Sequence, residues 1–138
     1  AFAKANKQCI HNRRYWEYKP FIGVGPSGHS FFNNYRFENE ANLERYLAEP
    51  TSRLQLCNQV KLSKKERIEE FVMSNLRLKE GFSFKRFELE FDESFSSKFK
   101  EQVERLDRLD LISITKSHIK TSKKGQSLLN TVLEEFIP

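Results

Sequence analysis

The chain has 138 residues, enough for one domain with a hydrophobic core or for a small domain with an appendage. Hydrophobic residues make up 38% of the chain and aromatic residues 13%, and this aromatic content argues against a disordered polypeptide. No stretch of about 18 apolar residues is present, so the sequence predicts no membrane-spanning helix. The sequence opens without an initiator methionine or an apolar leader, and we expect a fragment of a longer protein.

The net charge is +5, from 24 Lys and Arg against 19 Asp and Glu. This charge is compatible with nucleic acid or with a ligand that bears carboxylates, but the basic residues are spread along the chain and select neither. The two cysteines, Cys9 and Cys57, form neither a CxxC pair nor a zinc pattern. We therefore expect free thiols in a reducing compartment, the cytoplasm.

The first third of the chain predicts short elements. Residues 21–25 predict a short buried strand that runs into a glycine turn. Residues 29–37 alternate aromatic and polar side chains, which fits either a loop or a second strand. A short helix is expected to begin at Asn39 or Asn42 and to end at Pro50.

Residues 50–62 have little periodicity and mark a boundary, after which the helical signals become clear. Ser63 and Glu66 have the spacing of a capping box, and the helix that they open is expected to stop at Gly81. The later elements expected are a helix over 84–91 capped by Ser83, a helix over 95–109, a ribbon of 111–115 and 119–121, and a final helix over 122–136 with Leu128, Val132 and Phe136 inward.

Three helices, a ribbon and a last helix follow the order of a winged-helix domain with an added C-terminal helix. The predicted fold class is therefore α+β, mostly α. In a DNA-binding domain of this kind the third helix enters the major groove, and it needs excess Lys and Arg to meet the phosphates. Residues 98–110 hold four basic and four acidic side chains. This balance disfavours nucleic acid as a partner and leaves a structural or interdomain role.

The glycine run Gly23, Gly25 and Gly28 has the spacing GxGxxG. A dinucleotide site needs this run between a strand and a helix of a βαβ unit. No amphipathic helix follows it, and Pro26 lies inside the loop, so the sequence disfavours a dinucleotide site. The simpler interpretation is that the glycines let the backbone pass close to another strand or to a ligand.

The densest chemistry of the chain lies in HNRRYW, residues 11–16. If this segment is helical, His11 and Tyr15 share one face. An imidazole among flat aromatic rings suits an axial nitrogen on haem iron, with the rings against the porphyrin. The alternative is an aromatic packing cluster around a hydrogen-bonded histidine, and the residues by themselves favour it. Asn12 fits either a helix cap or the polar edge of a ligand, and His118 in the ribbon turn is expected to be solvated.

The chain resembles the late part of the oxygen-independent coproporphyrinogen III oxidase-like radical SAM proteins. CIHNRRYW and FIGVGPSGHSF resemble the C-x-HNxxYW and GxGPxAHSF patterns of the branch regarded as haem chaperones. The helical half resembles that family's closing passages. The segments that carry the likeness are residues 9–16, 21–31, 62–88 and 114–136, with Arg36 and Asn39. Together they cover nearly the whole chain.

This resemblance implies a parent with an incomplete TIM-like barrel that carries a [4Fe–4S] cluster and S-adenosylmethionine, capped by a helical domain. Residues 1–48 would be a remnant of the (β/α) radical SAM barrel, loosely ordered alone, and residues 60–138 the HemN-type, winged-helix-like cap domain. The cluster motif CxxxCxxC has no match in this sequence. We therefore expect that the fragment by itself is not an enzyme.

The resemblance also implies site residues. It places haem binding on His11, Asn12, Tyr15 and Trp16, with His11 as the candidate iron ligand. It places a glycine strand near the cofactor region, made of Gly23, Gly25, Gly28 and His29. Gly28 departs from the family pattern, which has alanine before the second histidine.

The function implied is haem or porphyrin metabolism, through haem binding and delivery, with the parent's N-terminal barrel as a partner. One alternative is a true anaerobic coproporphyrinogen III dehydrogenase of porphyrin biosynthesis. An alternative from another class is a winged-helix module that binds nucleic acid or protein.

Overall fold

The computed structural model describes residues 3–4, 7–48 and 56–137. The chain divides into two compact units, an N-terminal unit, Ala1–Arg67, and a C-terminal unit, Ile68–Pro138. Both units contain strands and helices, and helices predominate over the described residues as a whole, so the expected class, α+β and mostly α, is confirmed. In the part of the chain that the structure describes, no helix is long and apolar enough to cross a membrane.

The N-terminal unit is built on a three-stranded antiparallel sheet in the order β1-β2-β3. Its elements are α1 (Ile10–Trp16), β1 (His29–Phe32), β2 (Tyr35–Asn39), α2 (Leu43–Ala48) and β3 (Leu56–Lys61). Asn33 and Asn34 connect β1 to β2, and both have positive φ, 49° and 66°. Two such residues make the tight hairpin turn whose twist matches that of the flanking strands. Asparagine tolerates this conformation, which fixes the register of the hairpin.

Several expectations for this unit are settled by the structure. Residues 29–37, left open between loop and strand, form the β1–β2 hairpin. Residues 21–25 are not a buried strand, because only Phe21 pairs, in an isolated bridge to Phe31, and Val24 is 90% exposed. The short helix α2 begins after Asn42, whose Oδ1 accepts the amide of Arg45 at 3.0 Å. The expected end of that helix, Pro50, lies outside the described residues.

The segment 50–62 has little periodicity in the sequence and was predicted to be a boundary. Its described part contains β3, which pairs with β2. Asn58 has a φ of 52° where the β2–β3 register shifts, as expected for a bulge that breaks the alternation of side chains. This irregularity explains why a period-2 pattern was not visible in the sequence.

Helix α3 (Lys64–Asn75) contains the division between the two units. Its predicted capping box is confirmed: the amide of Glu66 donates to Ser63 Oγ at 3.2 Å, and the amide of Ser63 donates to Glu66 Oε2 at 2.7 Å. The expected stop at Gly81 is wrong, because the helix ends at Asn75. Gly81 has a φ of 64°, and a Cβ there would lie 1.9 Å from the carbonyl oxygen of Ile119. Glycine is needed at this position for a close approach of two strands, not for a helix cap.

The C-terminal unit arranges short helices around a sheet in the order β4-β6-β5. After α3 the elements are β4 (Phe82–Ser83), α4 (Phe84–Phe91), α5 (Phe95–Lys98), α6 (Lys100–Arg108), β5 (Ile112–Ile114), β6 (His118–Thr121), α7 (Lys123–Ser127) and α8 (Leu129–Glu134). The helix over 84–91 with a cap at Ser83 is confirmed, since Ser83 Oγ accepts the amide of Arg86 at 3.2 Å. The ribbon is confirmed as β5 and β6.

Two helices expected to be continuous are interrupted. The helix over 95–109 breaks at Phe99 into α5 and α6, and the last helix breaks at Leu128 into α7 and α8. Both residues have φ near −115° and ψ near 30°, outside the helical range. The inward placement expected of Leu128 is wrong, since its side chain is 47% exposed, whereas Val132 and Phe136 are buried as expected.

Phenylalanine dominates the core of the C-terminal unit. Phe95 is fully buried, and its ring lies 5.1–6.0 Å from five other rings, those of Phe82, Phe84, Phe87, Phe99 and Phe136. Most of these pairs are tilted or edge-to-face, and each such pair adds roughly 0.5–1.5 kcal/mol beyond the burial of its area. The cluster explains why Phe99 stays buried at the break between α5 and α6.

Candidate functional site

The first candidate residues, His11 and Tyr15, form a pair on α1. The Tyr15 hydroxyl lies 2.8 Å from His11 Nε2, and the two rings meet edge to face with centroids 4.9 Å apart. Four residues of separation bring two side chains together on one helical face, so the predicted proximity is confirmed. Within the described residues, the hydrogen bond and the ring contact of His11 are both with Tyr15, and the imidazole is exposed.

A series of contacts between aromatic residues connects this pair to the β1–β2 hairpin. The Tyr15 ring packs against Phe21 at 4.3 Å between centroids, and Phe21 exchanges both backbone hydrogen bonds with Phe31, each 2.9 Å. Phe31 is buried and packs against Tyr18 at 4.8 Å. The phenol that bonds His11 therefore rests on a hydrophobic support from β1, which restricts the rotamers of Tyr15.

The remaining motif residues, Asn12 and Trp16, lie on a neighbouring sector of α1. At about 100° per residue, Tyr15 lies about 40° around the helix from His11, whereas Asn12 and Trp16 lie about 100° and 140° away. Both are exposed, Trp16 by 36%. The structure therefore brings His11 and Tyr15 together and presents Asn12 and Trp16 as a second pair beside them.

The charged side chains of α1 and of the residues that follow it divide into two groups. Glu17 is bound by Arg13, with an Nη2–Oε1 distance of 2.9 Å, and by Lys19, with an Nζ–Oε2 distance of 2.5 Å. The hydrogen bond from Lys19 is the main cause that holds the pKa of Glu17 below its ordinary value, and Arg13 adds to it against an opposing effect of burial. Arg14 is exposed and contacts the carbonyl oxygen of Pro20 at 3.4 Å.

The glycine run forms a closed loop whose amides are already used. Four amides of the loop donate within the N-terminal unit, and their acceptors are Ser30 Oγ, the Tyr46 hydroxyl, the Glu40 carbonyl and the Gly25 carbonyl, for the amides of Gly23, Gly25, Ser27 and Gly28 respectively. A phosphate-binding loop needs these donors directed at the ligand. The chain therefore uses the GxGxxG spacing for local structure, and the dinucleotide alternative fails on this ground.

Asn39 holds the loop from the end of β2, whereas the sequence predicted it only as a possible start of the short helix and as a residue of the family resemblance. Its side chain is 94% buried, and Nδ2 donates to the carbonyl oxygens of Gly23 at 3.2 Å and Gly25 at 2.9 Å. Its own amide donates to the carbonyl of Gly28 at 3.0 Å. At Gly23 a Cβ would lie 2.4 Å from the carbonyl oxygen of His29, which confirms that glycine serves a close approach of backbones.

The last member of the predicted set, His29, begins β1 opposite Glu38. Its Nδ1 lies 3.5 Å from Glu38 Oε2, and its side chain is 74% exposed. An exposed pair at this distance contributes little to stability. Glu38 also accepts a hydrogen bond from Asn58 Nδ2, so the carboxylate is held on the surface of the sheet. His29 is thus tied to the hairpin and not to the His11 pair.

The described residues fit the two iron groups that the resemblance implies to different degrees. Within residues 3–4, 7–48 and 56–137, no three His, Cys, Asp or Glu side chains come together as a metal site. A [4Fe–4S] cluster needs several cysteine thiolates, so the described residues do not fit one. A haem iron needs only one or two axial ligands, and the exposed His11 imidazole fits that requirement.

Comparison with known proteins shows which family the chain resembles. Residues 62–128 match a protein family described as the HemN C-terminal domain. Over 128 residues the chain is 33% identical to the heme chaperone HemW of Lactococcus lactis, and this alignment covers 92% of the chain and 33% of that protein. Over 139 residues it is 28% identical to the heme chaperone HemW of Bacillus subtilis, and this alignment covers 99% of the chain and 36% of that protein. The chain is similar to the C-terminal part of HemN-like radical SAM proteins. The resemblance drawn from the sequence is thereby confirmed.

A solved structure of a HemN protein has a similar fold. Coproporphyrinogen III oxidase (HemN) from Escherichia coli, described as a radical SAM enzyme, matches with a TM-score of 0.61 at 21% identity. The match covers 86% of this chain and 28% of that one. The chain thus spans about a third of the length of the curated HemN-like relatives it matches. The matched family segment, 62–128, excludes α1 and the glycine loop, whereas the alignments to the relatives extend over nearly the whole chain.

Proposed function

We propose that this chain is the C-terminal region of a HemN-like protein that acts in haem or porphyrin metabolism, and that α1 contributes a haem-binding surface with His11 as an axial ligand. The observation that supports this proposal is the exposed imidazole of His11, hydrogen-bonded through Nε2 to the Tyr15 hydroxyl at 2.8 Å. A histidine that binds a metal through one ring nitrogen usually hydrogen-bonds through the other. The pair has this arrangement before any ligand is present.

The tautomer of His11 decides which nitrogen is open to iron. If Nε2–H donates to the Tyr15 oxygen, the lone pair of Nδ1 is left without a partner among the described residues. If the phenol donates instead, Nδ1 carries the proton and Nε2 is occupied by the phenol. The first tautomer is the one that binds iron without breaking the pair. We therefore assign Tyr15 the role of orienting the ring, and Nδ1 the role of ligand atom.

Haem bound here would supply an iron that accepts the axial nitrogen and a flat apolar ring that seeks contact with side chains. The ring beside the imidazole is that of Tyr15, with centroids 4.9 Å apart. Trp16 and Ile10 also expose apolar surface on α1, 36% and 80% of their area, but they lie about 140° and 100° around the helix axis from His11. Burying apolar area contributes about 25 cal/mol per Å². Phe21 and Phe31 act in this proposal as the support of Tyr15 on α1.

Two versions of the function differ in what happens to the tetrapyrrole. One is haem binding and delivery, and the other is the oxidation of coproporphyrinogen III in porphyrin biosynthesis. The HNRRYW motif and the names of the HemW relatives favour the first version. In either version a [4Fe–4S] cluster and S-adenosylmethionine would reside in a preceding barrel, which is the proposed partner of this region. We place the protein in the cytoplasm.

For the C-terminal unit we propose a winged-helix-like cap. The order α3, β4, α4, α5–α6, β5, β6 and the strand order β4-β6-β5 support this description. The division of the chain into a barrel remnant over residues 1–48 and a cap over residues 60–138 stays a prediction. A DNA-binding role for the cap finds no support in the charge of α6, which carries three basic and three acidic residues.

A haemin titration followed by absorbance tests the proposal on the whole chain. We expect a Soret shift that saturates near one equivalent and is weakened at least tenfold in His11→Ala, because the axial bond is lost. His118→Ala is a matched control, since His118 is also exposed and also hydrogen-bonded to a hydroxyl, that of Ser117 at 2.9 Å. Equal titration curves for the wild type and His11→Ala would overturn the assignment of the ligand.

A further inference from the structure

We propose that Arg14 binds a propionate carboxylate of the tetrapyrrole and makes the α1 surface selective for porphyrins with free propionates. This inference rests on the proposed haem-binding function and names the ligand class of the same surface. It rests on two features: Arg14 lies beside His11 on α1, and its guanidinium makes one long hydrogen bond, to the Pro20 carbonyl at 3.4 Å. The second of these features is visible only in the structure.

The position of Arg14 follows from the helix. Arg14 is three residues after His11, so it lies about one turn further along α1 and about 60° around the axis. Tyr15 lies about 40° from His11 in the opposite direction. His11 is therefore flanked by a phenol that orients its ring and by an arginine. A tetrapyrrole whose iron is held by the imidazole extends sideways over such neighbours.

The availability of Arg14 contrasts with that of the other cations near α1. Arg13 and Lys19 are both bound to the Glu17 carboxylate. Within the described residues, the hydrogen bond of the Arg14 guanidinium goes to the Pro20 carbonyl at 3.4 Å, longer than a normal N–H···O bond. Most of its donors therefore remain free for an anion, and the side chain is exposed to solvent.

The chemistry of the two groups is complementary. Guanidinium presents a planar set of donors that matches a carboxylate in a bidentate way, which an ammonium cannot do. An ion pair on an exposed helix is weakened by solvent, so the expected effect is modest, and it falls as ionic strength rises. A fivefold contribution to the affinity at low salt is the upper range for such a pair.

The experiment compares haemin, with two free propionates, and haemin dimethyl ester, in which both are masked. Dissociation constants are measured by absorbance in one detergent-containing buffer for the wild type, Arg14→Gln, Arg14→Lys and Arg13→Gln. We expect Arg14→Gln to weaken haemin binding about fivefold and to leave ester binding unchanged. Arg14→Lys should retain part of the affinity, because it keeps the charge and loses the bidentate geometry. Arg13→Gln is the matched control, because its guanidinium is already paired with Glu17.

The possible results separate the two proposals. If Arg14→Gln weakens both ligands equally, or if Arg13→Gln has the same effect on haemin, Arg14 does not recognise propionate and this inference is wrong. In that case an intact effect of His11→Ala would leave the haem-binding proposal standing. If the wild type binds neither ligand, both proposals are wrong. Circular dichroism of each variant controls for loss of the fold.

Discussion

At the scale of single residues, Asn39 does more for the candidate site than its place in the sequence suggests. One buried amide ties together the carbonyls of Gly23 and Gly25, while the backbone of the same residue fixes Gly28. The side-chain NH2 group of Asn39 and the two carbonyl oxygens that accept from it form a local hydrogen-bond network. The loop then holds the segment that contains Phe21, and Phe21 supports Tyr15.

Replacing Asn39 by alanine should destabilise the N-terminal unit. The Gly25 carbonyl keeps the amide of Gly28 as a donor, but the Gly23 carbonyl loses the donor it has from Asn39. Leaving such groups unpaired costs roughly 1–3 kcal/mol in the free energy of unfolding. Urea denaturation, together with amide hydrogen exchange in residues 21–40, measures the loss.

The control for this prediction is Asn12→Ala, which removes an exposed asparagine from the same unit. Asn39→Asp sharpens the test, because a carboxylate placed against two carbonyl oxygens cannot donate to either. Its pKa in the folded state should be raised, so this variant should gain stability as the pH falls and the acid becomes protonated. A variant Asn39→Asp as stable as the wild type at neutral pH would contradict the assigned hydrogen bonds.

The residues of the candidate site were predictable from sequence to different degrees. His11 and Tyr15 are four apart, and helical periodicity alone brings them together, so this pair was foreseeable. Asn39 lies 14 residues from Gly25 and 16 from Gly23, and only the folded hairpin brings them into contact. No local pattern encodes such a pairing. The sequence singled out Asn39 only as a possible helix start and as a residue of the family resemblance, and neither points to a contact with the glycine loop.

At the scale of elements, the start of α3 is determined by two side chains. Ser63 Oγ accepts the amide of Glu66, one of the donors that a helix leaves unpaired at its first turn. We expect Ser63→Ala to destabilise the start of α3 by about 1 kcal/mol, the usual effect of removing such a cap. Faster exchange of the Glu66 amide is the measurement. Ser96→Ala, at an exposed position of α5, should leave the exchange unchanged.

The same cap predicts a dependence on pH. The pKa of Glu66 is lowered, chiefly by its hydrogen bond with the side chain of Ser63 and then by the bond from the Ser63 amide. A group with a depressed folded-state pKa stabilises the fold above its unfolded pKa and loses this contribution as the pH falls through the folded pKa. An NMR titration of the Glu66 carboxyl should therefore show an acidic midpoint that moves towards the ordinary value in Ser63→Ala. Identical midpoints in the two proteins would mean that the capping box does not persist in solution.

Local signals predicted where elements begin better than where they continue. The caps at Ser63 and Ser83 are short-range features, and both starts were correct. The interruptions at Phe99 and Leu128 were missed because no Gly or Pro marks them. At Phe99 the break keeps the ring against Phe95 and Phe136, a tertiary contact that the periodicity of one helix does not report.

At the scale of the whole molecule, the two units carry different kinds of information. The family match begins at residue 62 and therefore reports mainly on the C-terminal unit, where a phenylalanine core determines the fold. The residues with candidate chemistry lie in the N-terminal unit. The chain spans about a third of the relatives' length. A site that needs ligands from several segments would therefore need residues from the other two thirds. The haem surface that we propose, with His11 as its one ligand, can therefore be tested on this chain by itself.

The charge of the whole molecule leads to a last prediction, which concerns the alternative of a nucleic-acid module. The net charge is +5, but α6 is neutral, and Arg105 on it is already paired with Glu135 at 3.0 Å. We expect duplex DNA to bind only non-specifically, with a dissociation constant of about 10⁻⁴–10⁻⁶ M at physiological salt, weakening further as salt is raised. Fluorescence anisotropy with two unrelated duplexes measures this, and Lys100→Gln on α6 should leave the values unchanged. A complex that prefers one sequence, survives high salt and is lost on Lys100→Gln would instead place α6 in the major groove and make DNA the partner of the C-terminal unit.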